Sequence, residues 1–214
     1  MASIVVFGAG GRAGRRVVAE AVDRGHRVTA VVRDPASYPE LDRAGVTLVA
    51  GDATDADSVA AVAQGHDAAV STVFRADADP AEFYTATGHA LVSGLAKAGV
   101  ERVVTVGVGS ALEVAPGVAV HDSPDYPAEY RAFSVGHTAE TDVLRQGGLD
   151  WVVLTPPPVI LDDQAPRTGR YRTGGASVLP AEADAPAFSY ADLAVALVDE
   201  AVEPRHHREV VAVG

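Results

Sequence analysis

The sequence predicts an α/β fold, a doubly wound parallel sheet with helices on both faces. Three observations carry that prediction. Short β-branched runs alternate with amphipathic stretches along most of the 214 residues, the pattern of right-handed βαβ crossovers. The β runs lack polar alternation, as strands covered on both faces do. The first run leads into a glycine-rich turn and then a helical pattern, GAGGRAG at residues 8–14.

Residues 3–7 read as a buried strand and 11–24 as a helix ended by Gly25. Residues 27–32 and 46–50 are the next two strands. Residues 55–64 form a helix, with Asp55 placed to cap it and Gly65 to end it. A fourth strand covers 67–73, a long helix 80–98 stops at Gly99, and a fifth strand covers 101–106. Residues 111–128 hold prolines at 116, 124 and 127 and read as a loop over the sheet edge. A helix over 133–146 closes at Gly147 and Gly148. Trp151, expected in the core, opens a sixth strand over 151–155, before Pro156, Pro157 and Pro158. Residues 161–187 are rich in Gly, Pro and charge and read as irregular, either a lid or a short hairpin around 169–173. Ser189 and Asp192 give an S-x-x-D start to a helix through Val202, and 209–213 is a final strand. One domain over 1–214 is expected, with 108–132 and 156–187 as loops on the substrate side.

Composition narrows the partners. The net charge of −12 argues against nucleic acid or an anionic membrane. The absence of cysteine removes disulfides, thiolate catalysis and cysteine–zinc sites. No metal spacing stands out among the histidines and acids, and His206–His207 read as a solvated pair. No run approaches the roughly 18 apolar residues of a membrane span. The N-terminus lacks a signal-peptide pattern, so a cytoplasmic protein acting on a small molecule is expected. The oligomeric state, monomer or dimer, stays open.

The glycine loop points to an anion. Free N–H groups at a helix start face outward, and the helix dipole favours negative charge by about 0.3–1 kcal/mol. Glycine permits the turn, close approach by a pyrophosphate, and tight helix–strand packing. Gly8, Gly11 and Gly14 sit three apart, with Gly10, Arg12 and Ala13 between them. A dinucleotide site for NAD usually shows an acid at the end of the second strand. Here RVTAVVRDP ends that strand in Arg33. A guanidinium can grip a 2′-phosphate with two parallel hydrogen bonds. NADP(H) is therefore the preferred cofactor. Asp34 leaves NAD(H) possible, should its carboxylate face the ribose.

These pieces, with GDATD at 51–55, VGVGSAL at 106–112, LDWVVLTPPP at 149–158, RTGRYR at 167–172 and FSYADLAVALVDE at 188–200, resemble the atypical short-chain dehydrogenases/reductases. The resemblance is to the NAD(P)H-binding group with biliverdin IXβ (flavin) reductase and NmrA-like proteins, over nearly the whole chain. It implies a Rossmann-like fold. It implies that Asp52 and Ala53 lie near the adenine, and that Ser71, Thr72 and Val73 run along the ribose and pyrophosphate. Gly107 and Ser110 would lie beside the nicotinamide, with Pro156 walling that side.

The Tyr-x-x-x-Lys pair of short-chain dehydrogenases is excluded. Lys97 is the only lysine, and the residue four before it is Ser93. Tyr126 is followed four on by Tyr130, and Tyr130 by Ser134. The remaining acid–base candidates are Ser110, Tyr126, Tyr130 and His121, with His137 on a helix as a packing residue. Histidine suits proton donation near neutrality. Three functions follow in order of preference. The first is an NADPH-dependent reductase of a conjugated or aromatic acceptor, such as a flavin or quinone. The second is a non-catalytic dinucleotide sensor of the NmrA-like kind. The third is an isomerase or cyclase with a structural cofactor.

Overall fold

The computed structural model describes residues 1–182 and 186–214. The elements run β1 (Ser3–Phe7), α1 (Arg12–Asp23), β2 (Arg27–Val32), β3 (Val46–Ala50), α2 (Ala56–Ala63), β4 (Ala68–Ser71), α3 (Pro80–Ala98) and β5 (Arg102–Val106). They continue β6 (Glu113–Ala115), β7 (Val118–Ala119), α4 (Ala128–Gln146), β8 (Asp150–Thr155), α5 (Tyr190–Val202) and β9 (Glu209–Ala212). The main sheet has the order β3-β2-β1-β4-β5-β8-β9, and every neighbouring pair is parallel. From β1 the chain builds outward to β3, then crosses back to lay β4 on the other side of β1. The order therefore reverses between β1 and β4, the point at which parallel sheets open a crevice beyond their strand ends.

Alternation along β1 sorts two cores. Ile4 and Val6 face α1 and α5, packing with Val17, Val18, Leu193 and Leu197. Val5 and Phe7 face the other way, packing with Val59, Leu91, Leu95, Leu144 and Trp151. Both faces are buried, which is why the strand sequence shows no polar alternation. Side chains start three of the helices. Asp55 accepts from the Asp57 amide at 2.9 Å, Asp79 from Glu82 at 3.0 Å, and Ser189 from Asp192 at 3.0 Å. Gly99 ends α3 in the left-handed region, at φ +73°.

Several boundaries differ from the sequence expectation. The helix expected from residue 133 starts at Ala128. Pro127 is a helix-starting residue here, since its missing N–H is no loss in a first turn. Tyr130 therefore stands on a helix, not in a loop. β4 ends at Ser71, two residues early. Thr72 turns to donate its amide to the Phe7 carbonyl at 3.0 Å and its hydroxyl to the same oxygen at 3.1 Å. Within 111–128, β6 and β7 form a small antiparallel hairpin at Gly117. The stretch 169–173 forms no hairpin of its own. Arg172 and Gly214 exchange backbone hydrogen bonds at 2.7 and 3.1 Å, so this segment pairs with the chain end. Of the irregular 161–187 stretch, residues 183–185 lie outside the described residues.

Ionic ties hold the segment before that pairing. Arg167 donates to both Glu20 oxygens at 2.8 and 2.9 Å, and the Thr168 and Gly169 amides donate to Asp192 at 2.9 and 2.8 Å. Arg167 and Arg24 hold the Glu20 carboxyl below the usual carboxylate range, against the opposing effect of burial. At the other end of the sheet, buried Arg102 pairs with Glu200 at 2.8 Å and Asp150 at 3.1 Å. His206 and His207 join this network at Glu200 and Asp150, so they are not merely solvated.

Close helix packing explains Gly94. A β-carbon there would stand 2.6 Å from the Ala56 carbonyl oxygen and from Val59. Gly94→Ala should therefore force α2 and α3 apart and cost about 1–3 kcal/mol. Gly148→Ala, where nothing lies within 4 Å, should change stability by less than roughly 0.5 kcal/mol. Urea denaturation of the two variants checks the contrast.

Candidate functional site

A cleft of about 270 Å³ opens at the carboxyl ends of β1 to β4, over the point where the strand order reverses. Gly8, Gly10, Gly11, Arg33, Asp52, Ala53, Thr72 and Val73 all line it. Tyr38, Phe74, Arg75 and Phe83 line it too, and sequence reasoning missed all four.

The floor is the glycine loop. Gly8 has φ +75°, and a β-carbon there would sit 2.8 Å from the Thr72 carbonyl group. A β-carbon on Gly10 would sit 2.3 Å from the ring of Tyr38, which folds over the loop. Gly14 serves packing: its β-carbon would meet the Gly8 oxygen at 2.1 Å. Gly11 caps α1, where no side chain satisfies the first amides and no acid stands in the first turn. That amino end suits an anion. Arg12 and Arg16 stand beside it, 6.0 and 5.6 Å from the ring of Tyr190. Ala13 packs half-buried on the core below.

At the β2 end of the cleft the charges separate. Asp34 turns away, accepting from the Ala36 amide at 3.1 Å and the Ser37 hydroxyl at 2.7 Å. Its carboxylate starts a short 3₁₀ turn at Pro35–Ser37. Arg33 is exposed and lines the cleft, and no carboxylate pairs with it among the described residues. Arg75 lies on the same wall and pairs with Asp77 at 3.0 Å. Asp52 accepts from the Thr54 amide at 2.8 Å and hydroxyl at 2.7 Å. Those bonds, then the fields of Arg75 and Arg33, hold its carboxyl below the usual range.

Next to the cleft residue Phe74 lies an aromatic and hydroxylic cluster. Phe74 meets Phe133 edge to face at 5.7 Å, and Phe133 meets Tyr84 at 5.8 Å. Ser110 lies in a 3₁₀ turn, Gly109–Ala111, just beyond β5. It donates to the Ser134 hydroxyl at 2.9 Å, and the His121 Nδ1 lies 2.7 Å from that same hydroxyl. Ser134 was not among the sequence candidates. Arg131 fixes the loop bearing His121, donating to the carbonyls of His121, Ser123 and Tyr126. Tyr126 stacks beside the Arg131 guanidinium at 5.7 Å. Tyr130 is 56% exposed, and the structure does not bring it to the Ser110 chain. Ser71 is buried at the end of β4. Gly107 packs on Thr155, where a β-carbon would come within 2.3 Å of Oγ1, and Pro156 follows half-buried.

Behind this cluster, α3 and α4 bury His137 and Glu140. The ring of His137 lies 3.9 Å from that of Tyr84. Burial pushes His137 down to about 3 and Glu140 up to about 8, so both are neutral near pH 7. Burial, then Glu140, raises the Tyr84 hydroxyl.

A family model described as NAD(P)H-binding matches residues 8–204. The protein YwnB of Bacillus subtilis, described as uncharacterised, is 32% identical over 210 residues, 96% of this chain and 95% of that one. The solved structure of a proposed exported protein from Burkholderia pseudomallei is 36% identical, covers both chains fully and superposes with a TM-score of 0.86. That of a proposed NADH-flavin reductase from Streptococcus pneumoniae is 27% identical, covers 100% of this chain and 99% of that one, and gives 0.84. The chain belongs to the NAD(P)H-binding family, and its fold is Rossmann-like.

The two neutral groups behind the site set a pH signature. Between pH 4.5 and about 8 the unfolded chain releases a Glu140 proton that the folded chain keeps. Its contribution to stability therefore falls as pH rises through that window. Between pH 6.5 and about 3 the unfolded chain binds a His137 proton that the folded chain refuses. That group's contribution falls as pH drops through this second window; the two slopes cancel between 4.5 and 6.5, leaving a net decline above 6.5 toward about 8 and another below 4.5 toward about 3. Glu140→Gln should flatten the alkaline decline and leave the acid one, as read from denaturation midpoints across pH.

Proposed function

We propose that the protein is an NADPH-dependent oxidoreductase that reduces a small conjugated or aromatic acceptor, such as a flavin or a quinone. The carrying observation is the division of labour between Arg33 and Asp34. The acid that would hold a bare ribose is committed to its own turn, and the guanidinium beside it is left facing the cleft.

The cleft fits the cofactor's chemistry. The amides opening α1, from Gly11 through Arg12, Ala13 and Gly14, would hold the pyrophosphate over Gly8 and Gly10. A side chain at Gly8 would collide with Thr72. Arg33 would grip the 2′-phosphate, with Arg75 beside it in the cleft lining. Asp52, Ala53 and Tyr38 would enclose the adenine. Ser71, Thr72 and Val73 would follow the ribose and pyrophosphate, and Gly107 and Pro156 would back the nicotinamide. When bound, NADPH supplies a hydride.

Ser110, His121 and Tyr126 would stand on the acceptor side, with Tyr130 exposed on α4 apart from them. Phe74 and Phe133 offer ring edges to a planar acceptor. A delocalised acceptor needs no strong acid at the instant of reduction, which suits a site without a Tyr–Lys pair. The likeness to a proposed NADH-flavin reductase supports this acceptor class.

The test is steady-state oxidation of NADPH and NADH against a panel of flavins and quinones. NADPH should be preferred, with turnover for at least one acceptor. Arg33→Ala should weaken NADPH binding about ten- to hundredfold, the worth of a charge-assisted hydrogen bond, and leave NADH nearly unchanged. Equal loss for both nucleotides would refute the assignment of Arg33.

A further inference from the structure

Reduction by hydride leaves one requirement open: the acceptor must also gain a proton. Among the described residues a hydrogen-bonded chain joins Ser110, Ser134 and His121, and His121 lies 3.7 Å from the more exposed Asp122 carboxylate. Ser110 is 5% exposed and Ser134 is fully buried. The side chain of His121 is 13% exposed, and that of Asp122, 3.7 Å from its Nε2, is 51% exposed. Exposure thus rises along the chain of contacts, from a buried hydroxyl to an open carboxylate. The chain neighbours the cleft without lining it: Ser134 follows Phe133, which packs on the cleft residue Phe74.

We propose that Ser134 and His121 form a proton relay that serves Ser110. This rests on the reductase reading above. Two buried hydroxyls 2.9 Å apart have little reason to be joined to a histidine ring at 2.7 Å for packing alone. Each hydroxyl can both donate and accept, so one rotation of each reverses the direction of the chain. Arg131 supports this geometry. Its guanidinium donates to three carbonyls of the loop, that of His121 among them, and leaves the ring free to meet Ser134. Asp122 and Arg131 are the charged groups facing His121 along the loop and from α4.

The acceptor is reduced by a hydride from NADPH, which leaves as NADP⁺, and the added electron pair rests on a conjugated heteroatom. A bond forms between that heteroatom and the Ser110 hydroxyl proton as the Ser110 O–H bond breaks. Ser110 Oγ takes the Ser134 hydroxyl proton, and Ser134 Oγ takes the proton on His121 Nδ1. The imidazolium becomes neutral imidazole and regains its proton from water. The sum is acceptor, NADPH and one proton giving the two-hydrogen product and NADP⁺. Ser110 is the catalytic residue, and Ser134 and His121 act through it.

Two single variants and their double test the relay. Ser134→Ala should lower kcat at least tenfold, within the range for a positioned proton donor, while the KM for NADPH stays unchanged. His121→Gln, on the half-exposed loop, asks the same question without disturbing the core and should fall to the same level. The double variant should be no worse than either single one, because a chain is broken once. Ser134→Thr, which keeps the hydroxyl, should recover most of the rate. In the unliganded protein the ¹⁵N resonances of the His121 ring should move in Ser134→Ala, since Nδ1 loses its partner.

Wild-type turnover with an unchanged kcat in Ser134→Ala would overturn the relay alone. So would losses that multiply in the double variant, or histidine resonances that do not move. No NADPH oxidation by the wild type with any acceptor would overturn the reductase reading and the relay with it.

Discussion

At Gly8 the chain leaves β1 with φ +75° and passes the Thr72 carbonyl closely enough to exclude any side chain. The rest of the site follows from that approach. It lets the loop turn flat across the point where the strand order reverses. It lets Gly14 settle α1 against the loop, so the amino end of the helix opens into the cleft. The same contact ties the exit of β4 to the exit of β1, through the Thr72 amide and hydroxyl on Phe7. A side chain at Gly8 would push these exits apart and take the walls of the cleft with them.

Charge is arranged against the average of the molecule. The chain as a whole is acidic, at −12, but Arg12, Arg33 and Arg75 stand in or beside the cleft. A local positive field in an acidic protein is a selective feature. It draws small polyanions without inviting nucleic acid to the remaining surface. The acids nearby are occupied: Asp34 and Asp52 by their own turns, Asp77 by Arg75. These local bonds leave Arg33 without a direct carboxylate partner among the described residues, although its field still reaches Asp52.

The sheet and the glycine loop were legible in the sequence because both rest on local rules. Buried parallel strands need unbroken β-branched runs, and Asp55 and Ser189 mark helix starts by residue type alone. The far side of the site was harder to read. The prolines at 116, 124 and 127 look alike in sequence, yet Pro127 starts α4 and so brings Ser134 beneath Ser110. Tyr38 lies on the cleft only because a turn between Pro35 and Pro39 folds it over Gly10, a contact with no local signal. Arg75 carried a faint signal, a cation just past a strand in an acidic chain. The pairing of 172–175 with the chain end is non-local, and no periodicity announces it.

A crystal of the protein soaked with NADP⁺ would show how the cleft holds its nucleotide. The pyrophosphate should lie against the amides that open α1, above Gly8, with the 2′-phosphate held by the Arg33 guanidinium. Nucleotide bound elsewhere, or a 2′-phosphate turned to solvent away from Arg33, would contradict this placement.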